Sequence, residues 1–306
     1  MSKIFVLGSV NTDYTIRVNG LPQLGQSKDG FGFSRNQGGK GANQAVACSK
    51  LGGEVYFIGC VGKDEEGVRL KNSVESYGVN TDAVSLSEQV SSGACMIIFD
   101  QSARDNILVV DRGANQCVSQ TFVNEYLVAN ASKDDIFVTQ FEINLDAVYC
   151  GLQTAKNLGM YTILNPAPFV EFDKSCLKNV DLIVPNQTEF KSLFEKDVEG
   201  NEEEAFKFFH ALGVKEVVVT LGGKGSVYLS ENAVRYCAPY NVSVVDTTSA
   251  GDTFIGAIAV SKSCSNGVAE SMDFASKCSA ITVSRSGAAS SIPYIAEVLQ
   301  SNLGRK

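Results

Sequence analysis

The sequence predicts an α/β fold: a doubly wound, mainly parallel sheet with helices on both faces, plus a small second β-sheet. Three observations predict it. Strand-like apolar runs alternate with helix-period segments along most of the 306 residues, which implies a sheet covered on both sides. Two stretches, 12–37 and 92–112, break that alternation. Motifs rich in Gly, Asn and Asp fall just after strand-like runs, at the carboxyl ends where open α/β sheets bind ligands.

In chain order, residues 4–10 form the first strand-like run. Residues 12–37 mix polar side chains with Gly25, Gly30, Phe31, Gly32 and Phe33 and show no helical period. A Gly-rich turn then leads into helical periodicity at 42–51, followed by a strand-like run at 55–61 and a helix at 66–77. Residues 92–112 hold two strand-like runs, 94–99 and 107–110, with no helix between them. With 12–37 they are expected to form a lid over the site. Further helices are expected at 120–130, 145–158 and 202–212, and strands at 135–140, 161–165, 182–185 and 216–220. Val242, Val244 and Val245 read as a strand-like run leading into a helix at 250–261; helices at 268–283 and 293–302 complete the chain. No repeat of about 20–50 residues and no low-complexity linker interrupts it, so one domain over 1–306 is expected.

Composition narrows the function classes. Hydrophobic residues make up 44% and charged residues 20%, enough for a sizeable core. A net charge of −8 argues against a nucleic-acid partner, whose binding needs many Lys and Arg contacts to phosphates. A small anion is still accommodated by one local cluster of amides and cations. The nine cysteines contain no C-x-x-C pair and are expected to be reduced and packed as small hydrophobes. The chain runs from Met1-Ser2-Lys3 straight into a strand, and no apolar stretch reaches the ~20 residues that span a bilayer. A cytoplasmic protein without a membrane partner is expected. The single histidine, His210, lies in an apolar helical run and is expected to pack there. One histidine speaks against a His-rich metal site or a Ser-His-Asp triad.

Five motifs carry possible chemistry. The richest is Asp246-Thr247-Thr248-Ser249-Ala250-Gly251-Asp252, where small residues and a carboxylate open a helix. Ser249 as N-cap and Asp252 in the first turn are favoured by the helix alone. Gly251 is not, since Gly in a helix is ~1 kcal/mol worse than Ala; backbone approach to a charged ligand explains it. Gly38-Gly39-Lys40-Gly41-Ala42-Asn43-Gln44 is no P-loop, because Gly41 follows Lys40 and Ser34 stands at the first Gly position. It reads either as a plain loop-to-helix turn or as a ligand-touching one, with Asn43 offering donors and an acceptor to hydroxyls. Asn11 and Asp13 are either turn formers or a pair for vicinal sugar hydroxyls. Asn186-Gln187-Thr188-Glu189 reads as a capping box, as a magnesium and phosphate site, or as both. Thr220-Leu221-Gly222-Gly223-Lys224-Gly225 is a hairpin turn or a nucleotide-phosphate cradle. No G-x-G-x-x-G follows a strand, which removes a dinucleotide-dependent dehydrogenase.

Over essentially its whole length the chain resembles the ribokinase-type (PfkB) carbohydrate kinases. Gly38 to Ala45 looks like that family's N-terminal signature, and Asp246 to Ala257 like its C-terminal one. Gly8 to Asp13, Gly113-Ala114-Asn115, Asn165 to Pro168 and Pro185 to Glu189 are similar to the ribokinase branch. The resemblance implies a ribokinase-like fold with a β lid that also dimerises, and transfer of phosphate from ATP to the 5-hydroxyl of D-ribose with Mg²⁺. It implies Asp252 as the base, with Ser249, Ala250, Gly251 and Asp252 forming an anion hole. Asn11, Asp13, Gly38, Gly39, Lys40, Asn43 and Glu142, together with Asp252 itself, would hold the sugar. Asn186, Thr220, Gly222, Gly223, Gly225, Gly251 and Ser276 would contact the nucleotide, with Glu189 linked to Mg²⁺ through water. An activating K⁺ would lie near Asp246, Thr248, Thr282, Arg285, Gly287 and Ser291. Three positions depart from the family: Ser249 where many members have Gly, Gly25-Gln26-Ser27 in the lid, and Asp111-Arg112 before Gly113. Alternatives are a kinase for fructose, deoxyribose, adenosine or pseudouridine, and a non-catalytic sensor on the same fold.

Overall fold

Residues 4–7 are apolar, and the first strand, β1 (Ile4–Leu7), buries all four. In the computed structural model, which describes residues 1–103 and 105–305, β2 (Asn11–Val18), β3 (Phe31–Gly38), α1 (Lys40–Lys50), β4 (Val55–Gly62), α2 (Glu65–Ser76) and β5 (Val84–Ser87) follow. Next come β6 (Gly93–Asp100), β7 (Asp105–Asp111) and a short 3-10 turn over Gly113–Cys117. Arg104, within the expected lid, lies outside the described residues, as does Lys306. Alternation resumes with α3 (Gln120–Asn130), β8 (Ile136–Thr139), α4 (Leu145–Asn157), β9 (Tyr161–Leu164), β10 (Leu182–Ile183), α5 (Gln187–Phe194), α6 (Glu202–Ala211) and β11 (Glu216–Thr220). The hairpin β12 (Ser226–Ser230) and β13 (Ala233–Cys237) precedes α7 (Ala250–Ser263), α8 (Val268–Val283) and α9 (Ile295–Gln300).

The main sheet has nine strands in the order β13-β12-β11-β10-β9-β8-β1-β4-β5. Neighbours from β11 to β5 pair in parallel, while β12 and β13 add antiparallel pairs. Period-2 alternation sends Phe5 and Leu7 to one face and Ile4 and Val6 to the other. On the first face Leu127, Leu152, Phe190 and Phe209 cover them. On the second Ala45, Phe254, Ile258 and Met272 do so. The order reverses at β1 and β8, so chain segments diverge there and leave a crevice at their carboxyl ends.

A separate four-stranded sheet has the order β3-β2-β6-β7. β2 pairs antiparallel with β3 and in parallel with β6, and β6 pairs antiparallel with β7. This is the small second sheet expected from 12–37 and 92–112, with β2 already starting at Asn11.

Two local expectations are corrected. Residues 242–245 are not a strand. Val244 and Val245 are each 63% exposed, no strand pairs with them among the described residues, and the Val245 N–H donates to the Val283 carbonyl at 2.8 Å. His210 is exposed rather than packed in, and its ring stacks on Phe206 with 5.3 Å between centroids. Among the described residues no helix is long and apolar enough to cross a membrane.

Candidate active site

The segments leaving β1, β3 and β8 are tied together at the crevice. Gly39, with φ of 89°, caps α1, and the Ala42 N–H donates to the Ser9 carbonyl at 2.8 Å. Glu142, just beyond β8, accepts the Ser9 hydroxyl at 2.5 Å and the Lys40 N–H at 2.9 Å through one oxygen, Oε2. Asn11, Asp13, Lys40, Asn43 and Glu142 thereby face one cavity of about 620 Å³. Gly38 does not line it; it backs Asp13, with room for no side chain, since a Cβ there would lie 2.1 Å from the Asp13 carboxylate.

Asp252 is buried at the floor. Its Oδ2 accepts from Asn43 Nδ2 at 3.2 Å and its Oδ1 from Gln44 Nε2 at 3.1 Å. Gln44 is itself fixed, because its Oε1 accepts from Gln140 Nε2 at 2.6 Å. Neutral amides aim the carboxylate without neutralising it. Burial pushes the Asp252 pKa up, against the pull of Lys40, so the group is a better proton acceptor than an exposed carboxylate. In the sequence the only signal for Gln44 is its place in the Gly38–Gln44 motif.

Asp252 follows directly on an open helix start. Ser249 precedes α7 in the left-handed region, φ 59°, a conformation glycine adopts freely, and its buried hydroxyl has no partner among the described residues. Among the described residues the N–H groups of Gly251 and Asp252 meet no intramolecular acceptor. A Cβ on Gly251 would touch nothing within 4 Å, so this backbone borders open space. Amides of this kind, reinforced by the helix dipole, attract an anion.

Beyond Gly251 a second cavity of about 270 Å³ opens, lined by Gly223, Gly225, Tyr240, Val242, Val244 and Ser276. Thr220, Gly222, Thr247, Ala250 and Gly251 border both cavities. The alternation of Val242 and Val244 thus serves an apolar pocket wall, not a sheet. Cys95, Ile97, Leu108 and Val110 of the small sheet cover the larger cavity.

Asn186 and Glu189 form the capping box: each side chain meets the other's backbone N–H at 2.9 Å. Both also line the larger cavity, so the capping box does not withdraw them from it. Burial raises the Glu189 pKa, opposed by the Asn186 N–H and Lys40. Burial alone would lower Lys40, but Asp252, Glu142 and Glu189 together hold it above its usual range.

The residues expected near a monovalent cation adjoin this floor. Asp246 Oδ1 accepts the Thr248 N–H at 2.9 Å and hydroxyl at 2.6 Å, and Oδ2 accepts the Gly287 N–H at 3.1 Å. Although burial acts upward, these bonds hold its pKa below the ordinary value. The Arg285 guanidinium turns away to Glu297 at 2.7 Å. The hydroxyls of Thr282 and Ser291 donate to the carbonyls of Cys278 and Ala288 at 3.2 and 2.8 Å. Ligands from this set would therefore be mainly carbonyl oxygens and Asp246.

Asp13 titrates far from its ordinary value: burial, then Glu142 and Asp252, push its pKa from 3.8 to about 7. Between those values the folded state binds the extra proton, so stability falls as pH rises from about 4 to about 7 and is level above. Asp13→Asn removes that loss. Without sugar, thermal unfolding should show the variant more stable than wild type above about pH 8 and level with it near pH 4. A difference independent of pH contradicts the assignment.

Fold and cleft define a phosphotransferase for an alcohol acceptor. The chain belongs to the pfkB family of carbohydrate kinases, whose family model matches residues 1–295. It is 40% identical to the ribokinase of Schizosaccharomyces pombe over 97% of both chains. Its fold is similar to that of the crystal structure of ribokinase from Thermotoga maritima, with a TM-score of 0.88, 30% identity and 98% of each chain covered. It is equally similar to Arabidopsis thaliana ribokinase complexed with ribose and ATP, with a TM-score of 0.88, 29% identity and 98% of each chain covered.

Proposed function

We propose that the chain transfers the terminal phosphoryl group of ATP to the 5-hydroxyl of D-ribose, releasing D-ribose 5-phosphate and ADP. The observation that carries this reading is Asp252 beside the N–H groups of Gly251 and Asp252, unpaired among the described residues, where the two cavities meet. Asn11, Asp13, Lys40, Asn43 and Glu142 hold the sugar. The ribose-bound Arabidopsis relative supports a pentose as acceptor.

In this reading Asp252 accepts the hydroxyl proton as the oxygen attacks phosphorus. The amides of Gly251 and Asp252, with Ser249 and Ala250 shaping the turn, meet the charge on the transferring phosphoryl group. The second cavity takes the nucleotide: Val242 and Val244 face the base, while Thr220, Gly222, Gly223, Gly225 and Ser276 lie along its remaining wall. Asn186 reaches the phosphates from the wall of the larger cavity. Mg²⁺, when bound, offsets phosphate charge. Glu189 fits it through water, because one carboxyl oxygen is left free by the capping box and burial favours a nearby cation.

Asp246 and the carbonyls around Thr248, Thr282, Arg285, Gly287 and Ser291 suit a hard monovalent cation such as K⁺. Exchanging K⁺ for Na⁺ in the assay is expected to lower turnover; equal rates contradict the site. The protein acts in the cytoplasm as a homodimer. Support for the dimer is the outward face of the small sheet, where Phe33, Met96 and Val109 are 66%, 53% and 62% exposed; sedimentation at micromolar concentration tests it.

The acceptor is tested by ADP release with ribose, 2-deoxyribose, fructose, adenosine and pseudouridine. Ribose should give the highest kcat/KM. A clear preference for another acceptor would move the assignment within the family.

A further inference from the structure

Asn115 closes the Gly113-Ala114-Asn115 motif and does not itself line the cleft, yet it is 1% exposed and fully engaged. Its Oδ1 accepts the Val10 N–H at 2.9 Å. Its Nδ2 donates to the Asn11 Oδ1 at 2.7 Å and the Arg112 carbonyl at 2.9 Å, with the Val10 carbonyl at 3.2 Å. An amide's two ends are told apart only by their partners, and here the backbone decides. A backbone N–H can only donate, so the Asn115 oxygen faces Val10. Its nitrogen then faces Asn11, and the Asn11 atom that meets it is the oxygen. The Asn11 nitrogen is left to the cavity wall, with no acceptor among the described residues.

We propose that Asn115 is a positioning residue that fixes the Asn11 amide so that only its NH₂ group is presented to the sugar. Asn11 is therefore a one-sided donor, although its side chain carries both functions. The sugar oxygen it meets must offer a lone pair and send its own proton elsewhere; Asp13, also on β2, lies on the same cavity wall. The contact requires a glycine beside it. A Cβ on Gly93 would lie 2.2 Å from Asn115 Nδ2 and 2.3 Å from Asn11 Oδ1. Asn11 opens β2, Gly93 opens β6 and Asn115 follows β7, so the bond is made where three strands of the small sheet join the body. Sugar recognition and the seating of that sheet are thereby coupled through one amide.

The inference rests on the cleft being the sugar site, and a mutant cycle separates the two. Ribose KM, ATP KM and kcat are measured for wild type, Asn11→Ala, Asn115→Asp and the double variant. Asn115→Asp places an acceptor against the Asn11 oxygen and should raise ribose KM about 10-fold, with ATP KM within about twofold. The double variant should be no worse for ribose than Asn11→Ala, because both changes remove one interaction. Additive losses, or equal losses for ATP and ribose, overturn the proposal.

Should Asn115→Asp fail to fold, Asn11→Asp tests the same orientation while leaving an oxygen for Asn115. It should fold as wild type and bind ribose at least as weakly as Asn11→Ala, because a carboxylate oxygen replaces the donor. Wild-type ribose affinity in Asn11→Asp overturns the proposal. Absence of ribose turnover in the wild type contradicts the ribose reading alone, and the cycle is then run with the acceptor that is phosphorylated.

Discussion

Asp252→Asn is expected to bind ribose and ATP nearly as wild type and to turn over ~10²–10⁴-fold more slowly, the range for loss of a general base. The reason is local. The carboxylate is held by two NH₂ groups, from Asn43 and Gln44, at 3.2 and 3.1 Å. In the variant one oxygen still accepts, while the new amide nitrogen opposes a donor. That mismatch costs about 1–3 kcal/mol and is partly offset by removal of a buried charge, which burial already disfavours. The protein should therefore fold. Binding survives because Asn11, Asp13, Lys40 and Glu142 remain on the sugar side. The amide has no basicity to take the hydroxyl proton, so the loss falls on kcat. Calorimetry for ribose and coupled ADP release for kcat separate the two; turnover within a few-fold of wild type contradicts the role of Asp252.

Gly251→Ala should raise stability and lower activity together. Gly within the first turn of α7 is ~1 kcal/mol less favourable than Ala, and a Cβ at this site meets nothing within 4 Å. The methyl group therefore enters the space shared by the two cavities without disturbing the core. In the proposed reaction it would stand where a phosphoryl group approaches these amides. Loss of one such donor in other enzymes costs ~10²–10³ in kcat, and a fall of about 10²-fold is expected here. A melting temperature at or above wild type with unchanged kcat would show that no charged group approaches this backbone.

The main sheet was readable because its strands are nearly all-apolar runs, which parallel strands covered on both faces require. Ile4–Leu7 is the plainest case, with every side chain buried. β2 and β3 were harder. Asn11-Thr12-Asp13-Tyr14 carries no apolar alternation, because one side of that sheet faces a polar cleft. Val242, Val244 and Val245 misled for the opposite reason. They have strand chemistry, but Val242 and Val244 line a pocket instead of a sheet. The helix opening at Ala250 could be read from Ser249 and Asp252, and a charged ligand beside it from Gly251, which a helix start does not need. What no linear pattern shows is partnership across the chain. Gln44 with Asp252 joins residues 208 apart, and Asn115 with Asn11 joins residues 104 apart. Such pairs depend on the order of strands in the sheet, which the sequence states only indirectly. The capping box of Asn186 and Glu189 leaves both side chains on the cavity wall, so the structural reading does not exclude the functional one.

Phosphoryl transfer to the ribose 5-hydroxyl with Asp252 as base is tested most directly by phosphorus NMR of the reaction mixture. Wild type and Asp252→Asn are incubated with ATP, Mg²⁺, K⁺ and ribose. The wild type should convert ATP to ADP with one new phosphomonoester signal, coupled to the protons on ribose C5, and Asp252→Asn should give almost none over the same time. A phosphoester at another ribose carbon, ATP loss to inorganic phosphate only, or equal product from both proteins would contradict it.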